Sequence, residues 1–134
     1  MTAEDAPLIA LYGIFLFDVL LIALMAMWMA KSISKGSLKR NQMVGIRTRA
    51  TLASDEAWAE GHKASIPHMN AVARIGIAGV LLSLLSLLIR PGDGSLTAVH
   101  CAIPIVAFSA QIVILIWGSV VGHRRAKEVV KQEN

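Results

Sequence analysis

Three long apolar blocks constrain the fold of this chain more than any other feature. They run over residues 8–30, 70–89 and 97–121, and none contains more than one Asp, Glu, Lys or Arg. A helix needs about 20 residues to cross the hydrocarbon core of a bilayer, so each block is long enough to span it. None of them alternates apolar and charged faces as a soluble amphipathic helix does. The blocks therefore predict an all-α integral membrane three-helix bundle.

The composition supports the same fold class. Hydrophobic residues make up 55% of the 134 residues, and they are concentrated in the blocks, whereas a soluble domain scatters them periodically. Three buried helices of a soluble bundle are a disfavoured alternative, because too few polar residues remain to give each helix a wet face. Glu4 and Asp5 precede the first block where a cleaved signal peptide carries positive charge, so we expect this block to remain as a helix. We expect residues 1–134 to form a single membrane domain.

The distribution of Lys and Arg predicts the orientation of the spans. Basic residues are concentrated in the loop 31–68 and in the tail 122–134, and none precedes the first block. Cytoplasmic segments of membrane proteins carry an excess of Lys and Arg. We therefore expect a multi-pass protein of the cell inner (plasma) membrane, with its N-terminus and the Arg90–Leu96 turn outside. The loop and the C-terminus are expected in the cytoplasm.

The loop 31–68 has the most specific polar sequence in the chain. Gly45 permits backbone conformations that a side chain disfavours. Arg47 and Arg49 can present planar hydrogen-bond donors to phosphate or carboxylate groups. Each basic residue close to the membrane surface also contributes about 1 kcal/mol of attraction to anionic lipid. We therefore expect anionic lipid headgroups to be partners of this loop.

A short interfacial amphipathic helix is predicted within the loop. Ser54 is followed by two acidic residues, which is typical of an N-cap and a first helical turn. Pro67 is expected to end this helix. Trp58 and His62 are four residues apart and so share one face. Trp58 suits an interfacial position, with its ring at the depth of the headgroups.

The loop pattern resembles that of a known family. The resemblance is carried by Asn41, Gly45, Ile46, Arg47, Thr48, Thr51, Leu52, Ser54, Trp58 and His62, followed directly by a membrane span. This pattern is similar to the signature of the SdpI family, small polytopic bacterial membrane proteins named for immunity to a secreted peptide toxin. The resemblance extends over roughly residues 8–89, and its specific positions lie within 41–62. It implies functional roles for Asn41, Gly45, Arg47, Thr48, Thr51 and Trp58.

A structural interpretation of the same positions stays open. In that interpretation Gly45, Thr51 and Ser54 are turn and capping residues, and Trp58 is an anchor in the membrane interface. For Arg47 a binding role is favoured, because a guanidinium beside a glycine turn at a membrane surface has anionic partners at hand. A lipid headgroup is sufficient as that partner.

Polar residues within the blocks form a second candidate site. Asp18 lies near the middle of the first block, where an acidic group costs about 3 kcal/mol to insert. Gln111 is predicted at roughly the same depth in the third block. Arg74 is predicted about one helical turn inside the cytoplasmic edge, too shallow to pair directly with Asp18. We therefore expect Asp18 to face Gln111 or a pocket, either as a functional group or as a packing hydrogen bond.

Other chemistries find little support in the sequence. His62, His68, His100 and Cys101 lack the short helical spacing typical of zinc ligands, so no metal site is predicted. The chain shows no nucleophile–base constellation, phosphate-binding glycine loop or paired catalytic carboxylates. We therefore expect the chain to have no enzymatic activity and to bind no cofactor. Nucleic acid is not an expected partner, because no basic surface with aromatic stacking residues remains outside the loop.

Three functions stay open at this point. The resemblance implies immunity or protection against a membrane-active peptide toxin. An accessory subunit of a larger membrane protein complex is the main alternative, docking through the loop and through small-residue helix faces. A small transporter or lipid-binding protein would use Asp18 and Arg47. A small bundle of this kind is also expected to pair with a membrane protein partner or with a second copy of itself.

Overall fold

The described residues of this computed structural model form three long helices and no strand. Helix α1 spans Asp5–Ser34, α2 spans Asp55–Ser86 and α3 spans Ala98–Glu133. A single 3-10 turn, Leu87–Ile89, extends α2. All three helices are long and apolar enough to cross a membrane. The all-α class and the three membrane-spanning candidates predicted from the sequence are therefore confirmed.

The structure describes residues 5–40, 43–89 and 95–133, excluding the side chain of Asp5. Asn41 lies outside these ranges, as does most of the predicted Arg90–Leu96 turn.

Local sequence explains where α1 ends. The N–H of Ser37 donates to the carbonyl of Ser32 at 3.0 Å, and the N–H of Gly36 donates to that of Ile33 at 2.9 Å. These two bonds are the pair that closes a Schellman motif. The residue after such a helix end must adopt a left-handed conformation, and Gly36 does so with φ of 67°.

Helix α2 begins where the sequence predicts, but it does not end at Pro67. The Ser54 side chain accepts a hydrogen bond from the N–H of Ala57, and Ser54 is the N-cap. A separate interfacial helix ending before Pro67 is not present, because α2 runs through Pro67 as one element. Proline removes only one backbone bond. Buried residues on both sides of it, Ser65 and Met69, keep the two halves packed against the bundle.

Small residues set the distances between the helices. A Cβ added to Gly76 or Gly79 would lie in contact with the Cβ of Ala23 in α1 or of Ala107 in α3, respectively. Such small contacts let membrane helices approach closely where lipid offers no hydrophobic driving force. Helix α1 is the least buried of the three and keeps large apolar side chains such as Phe17 exposed.

Gln111 fixes the relative height of the three helices. Its side-chain amide donates to the backbone carbonyls of Val19 in α1 and Val72 in α2, both at 3.2 Å. Val19 directly follows Asp18, so Asp18 lies within about one helical turn of the Gln111 amide. This agrees with the predicted similar level of Asp18 and Gln111, and their depth in a membrane stays a prediction.

Arg74 lies nearer than Asp18 to the loop end of the bundle. A Cβ added to Gly76 would contact Ala23, and one added to Gly79 would lie 3.6 Å from Cγ1 of Val19. Because α1 and α2 are antiparallel, these contacts put Arg74 about 8 Å closer to the loop than Asp18, from the helical rise. The depth of each residue in a membrane stays a prediction.

Candidate functional site

The loop before α2 folds over the ends of α2 and α3, and we call its residues 43–54 the polar cap. Gly45 lies at its closest approach to α2. A Cβ at this position would lie 2.5 Å from Nε2 of His62 and 2.9 Å from Cη2 of Trp58. Gly45 also has φ of 117°, a conformation that L side chains rarely adopt. Both the space and the backbone therefore require glycine here.

His62 joins the polar cap to α2. Its Nε2 accepts a 2.8 Å hydrogen bond from the N–H of Ile46, and its Nδ1 lies 2.8 Å from the carbonyl oxygen of Trp58. These two bonds require a neutral ring with its proton on Nδ1, because a backbone carbonyl can only accept. The side chain is 1% exposed. His62 thus acts as a buried structural link in this arrangement.

Trp58 packs beneath the polar cap. Its ring centroid lies 4.1 Å from that of His62, as their shared helical face predicts. Its Nε1 donates to the carbonyl of Leu38 at 3.0 Å. The side chain is 2% exposed, so the expectation of an interfacial anchor is wrong. The ring is covered because the loop folds back over it.

Two threonines shape the turn of the cap. Oγ1 of Thr51 donates to the carbonyl of Ile46 at 2.6 Å and accepts from the N–H of Thr48 at 2.9 Å. Thr51 is fully buried. Oγ1 of Thr48 also lies 2.9 Å from Nδ1 of His123 in α3. The turn is therefore bonded within itself and to the third helix.

Polar contacts between exposed side chains surround the cap. Arg40 pairs with Asp55 at 2.8 Å, and Arg125 lies 3.6 Å from Glu60. Oγ of Ser54 donates to a carboxylate oxygen of Glu133 at 3.0 Å. Exposed pairs of this kind contribute little to stability, about 1 kcal/mol at most. The contacts of Arg125 and Glu133 connect the start of α2 to the end of α3, and that of Arg40 connects the loop to α2, without defining the shape of the cap.

The arginines of the motif face away from this interior. Arg47 and Arg49 are exposed, and no hydrogen bond or ion pair joins either to another residue in the described part of the chain. The structure thus divides the motif positions. Gly45, Thr51, Trp58 and His62 form the interior, Thr48 links the cap to α3, and Arg47 is presented outward.

A seam of small residues below the cap was missed by the sequence analysis. Oγ of Ser65 lies 2.9 Å from the carbonyl oxygen of Gly118. A Cβ on Gly61 would meet the carbonyl oxygen of Gly122 at 2.9 Å. The spacing Gly61-x3-Ser65 on α2 and Gly118-x3-Gly122 on α3 is the small-residue pattern of packed membrane helices. That pattern could have identified the seam from the sequence.

An apolar groove opens beside the cap between α1 and α3. Its volume is about 340 Å³, and its lining includes Met25, Met29, Ile46, Met69, Leu115 and Ser119. Methionine side chains adapt to irregular apolar partners. The groove suits an acyl chain or an apolar side chain, and its lining contains no titratable side chain. No cluster of His, Cys, Asp and Glu able to hold a metal ion occurs within the described ranges.

The polar residues within the apolar spans are distributed over different surfaces. Gln111 is fully buried, and both bonds of its amide go to backbone carbonyls, so no hydrogen bond joins it to Asp18. Its Oε1 has no partner among the described residues. Asp18 is partly exposed and Arg74 is exposed.

Comparison with known proteins bears on the loop and the helices that follow it. No curated protein and no solved structure matches the chain. A sequence model of the SdpI/YfhL protein family matches residues 37–118, more than half of the chain. The match leaves out α1 and reaches well into α3, so it differs at both ends from the expected range of 8–89. It includes the polar cap, all of α2 and the small-residue seam as far as Gly118, and the chain belongs to the SdpI/YfhL protein family.

Proposed function

We propose that the chain is an SdpI-like integral membrane protein that gives immunity or protection against a membrane-active peptide toxin. The match of residues 37–118 to the SdpI/YfhL family carries this proposal, because this segment includes the whole polar cap with its exposed arginine. In the proposed orientation the cap and the C-terminus lie in the cytoplasm of a bacterial cell and the N-terminus lies outside. The protein acts by binding and without catalysis.

Within this proposal the polar cap holds a binding residue in a fixed place. Arg47 follows directly after Ile46, whose backbone is bonded to both His62 and Thr51. The backbone of such an anchored turn loses little conformational freedom when its guanidinium binds a carboxylate or phosphate. The buried motif residues therefore support the exposed one, and Arg47 supplies the contact to a toxin, its target or a signalling partner.

Immunity is tested by peptide challenge of a strain that lacks the gene. We expect the deletion to sensitise cells to a membrane-active peptide and the restored gene to reverse this. Arg47→Ala should fail to restore resistance at equal expression. Lys127→Ala is the matched control, because Lys127 is an exposed cation of α3 outside the cap. Unchanged sensitivity of the deletion strain across a panel of such peptides would remove the immunity proposal.

An accessory subunit of a membrane complex is the second candidate. The observation that favours it is the outward position of Arg47 and Arg49, for which the described residues provide no partner. Purification of the tagged protein in mild detergent, followed by mass spectrometry, should then recover a stoichiometric partner. That partner should be lost with Arg47→Ala and kept with Lys127→Ala. Recovery of the chain alone would exclude a stable complex.

A lipid-binding or transport function is supported by the apolar groove beside the cap. Its lining combines side chains of α1 and α3 with Ile46 of the cap. Anionic headgroups at Arg47 would then lie near an acyl chain in the groove. Native mass spectrometry of the purified protein should show bound phospholipid that is displaced by Ser119→Trp, a substitution that fills the groove. Equal lipid retention in this variant would contradict the candidate.

A further inference from the structure

Two apolar grooves adjoin on α3 and share one wall. The first groove, between α1 and α3 beside the cap, includes Leu115 and Ser119 in its lining. A second groove, of about 460 Å³, is lined by the same two residues together with Ile116, Val120 and Thr48 of the polar cap. Leu115 and Ser119 are four residues apart, so they form a ridge on one face of α3. The two grooves therefore meet along this ridge, and both reach the cap.

The second groove is apolar at one end and basic at the other. Along α3 its lining runs from Ile116 to His123 and Arg124, a distance of about 12 Å from the helical rise. The apolar block of the third span ends at residue 121, so the basic end of the groove lies just past it. The first groove contains no titratable side chain. Together the two grooves form an amphipathic surface whose charge lies beside the cap.

Two arginines lie at the end where the grooves reach the cap. Ile46 lines the first groove and Thr48 lines the second, so the backbone of Arg47 lies between the two grooves. Arg124 lines the second groove directly. Both arginine side chains are exposed, and no hydrogen bond or ion pair joins either to another described residue.

Acidic side chains do not neutralise these two arginines. Glu60 pairs with Lys63 and Arg125, and Glu128 pairs with Arg125, the neighbour of Arg124. The lining of the two grooves includes no acidic side chain. An anion is therefore the complementary ligand for this end of the grooves, because a guanidinium binds phosphate or carboxylate through paired hydrogen bonds.

His123 adds a third polar group to the basic end. Its Nδ1 lies 2.9 Å from Oγ1 of Thr48, which holds the ring against the cap. Its Nε2 has no partner among the described residues. When the Thr48 hydroxyl donates to Nδ1, the ring proton lies on Nε2 and can be donated to a phosphate oxygen.

A diacyl phospholipid with a net negative headgroup matches this arrangement. Its two acyl chains leave one glycerol side by side, and its phosphate lies next to them. We propose that the two grooves bind one such lipid, with one chain in each groove and the phosphate bound by Arg124 and Arg47. This inference rests on the lipid-binding candidate of the proposed function, which it deepens by naming the class of lipid. It does not depend on immunity.

Competition between two lipids tests the headgroup. The purified protein in mild detergent is incubated with equal amounts of dioleoyl phosphatidylglycerol and dioleoyl phosphatidylcholine, which differ in headgroup charge and not in their chains. Native mass spectrometry then identifies the first lipid retained. We expect a several-fold preference for phosphatidylglycerol. Equal retention would overturn the anionic site and leave the lipid-binding candidate standing, whereas retention of neither lipid would contradict both.

Charge variants test the two arginines. Arg47→Gln and Arg124→Gln should each reduce the preference for phosphatidylglycerol, and the double variant should abolish it. Lys127→Gln is the matched control, because Lys127 is also an exposed cation of α3 without a described partner. It should keep the preference of the unaltered protein. An equal reduction in Lys127→Gln would mean that net charge alone attracts the lipid, and it would overturn the site.

A groove-filling variant tests the two chains. Val120→Trp places an indole in the second groove without changing the charge. Retention of dioleoyl phosphatidylglycerol should fall several-fold, to that of its single-chain lysolipid. Val106→Trp is the control, because Val106 is 66% exposed on α3 and lies outside both grooves. Both variants should elute in size-exclusion chromatography as the unaltered protein does. Equal retention by the two variants would show that the second groove holds no chain.

Discussion

The two halves of α2 are held by different kinds of contact. Near the polar cap, His62 of α2 bonds to the backbone of Ile46 in the loop, in addition to the small-residue seam with α3. Further along, Gly76 and Gly79 contact small residues of α1 and α3. Directional bonds specify one conformation of a loop, whereas small-residue contacts specify only how closely helices approach. Small-residue contacts therefore set the spacing along both halves of α2, and the cap half adds the specific shape of the loop.

The largest expected effect is at Gly122, where the two kinds of contact meet. A Cβ there would lie 2.5 Å from Oγ of Ser65 and 2.7 Å from Cδ1 of Ile46. Gly122→Leu should therefore separate α2 from α3 and detach the cap, at a cost of about 3 kcal/mol or more. Size-exclusion chromatography in mild detergent should show loss of the folded peak.

Gly13→Leu is the matched control for this change. Gly13 lies within α1, and an added Cβ there meets nothing within 4 Å. The control should elute as the unaltered protein does. Equal stability of the two variants would show that the α2–α3 seam is not closely packed.

A smaller and more local effect is expected at Gly45. Gly45→Ala imposes strain at φ of 117° and pushes a methyl group against His62 and Trp58. The cap should open at a cost of about 2–3 kcal/mol, while the spans stay packed. Limited proteolysis within residues 43–54 measures this opening.

Gly36→Ala is the control that separates backbone strain from steric contact in this experiment. Gly36 has φ of 67°, but nothing lies within 4 Å of an added Cβ. It should cost only about 1 kcal/mol and leave the cap resistant to protease. Equal cleavage of both variants would mean that backbone strain alone accounts for the effect.

Thr51 tests the hydrogen bonds of the cap without a change in volume. Thr51→Val leaves the carbonyl of Ile46 and the N–H of Thr48 without their buried partner. We expect a loss of about 1–3 kcal/mol. Hydrogen exchange at the Thr48 amide should become faster. Thr51→Ser retains the hydroxyl and should stay close to the unaltered protein; if valine is tolerated equally well, the bonds are not what holds the turn.

The smallest effect is expected at the exposed ion pair beside the cap. Arg40 and Asp55 are 2.8 Å apart, but their side chains are 39% and 85% exposed. Solvent screens such pairs, so Arg40→Ala should leave thermal stability in detergent almost unchanged. Arg49→Ala, which removes an exposed cation without a described partner, serves as the reference. A loss of stability as large as that of Thr51→Val would show that the exposed ion pair stabilises the cap.

The sequence predicted the helices well, because hydropathy over about 20 residues is a local property. The N-cap at Ser54 was predicted for the same reason, since capping depends on neighbouring residues. The extent of α2 was not predictable in this way. Pro67 usually ends a helix, and its continuation depends on packing against elements distant in the sequence.

The interior of the candidate site depends on the folding of the loop. No local pattern indicates that Nε2 of His62 meets the N–H of Ile46, because this bond forms only after the chain reverses at Gly45. The burial of Trp58 follows from the same reversal. The relative height of Asp18 and Arg74 required the contacts of Gly76 with Ala23 and of Gly79 with Val19, which reveal how the helices align.

The Gln111 amide has a consequence for how this bundle can move. It is fully buried and bonded to the backbone of both neighbouring helices. A piston-like displacement of one helix by a single residue would break these bonds in the buried interior of the bundle, where each unpaired group costs several kcal/mol. Any signal that crosses this bundle must therefore travel as tilting or swivelling of the helices about Gln111, which acts as their common pivot.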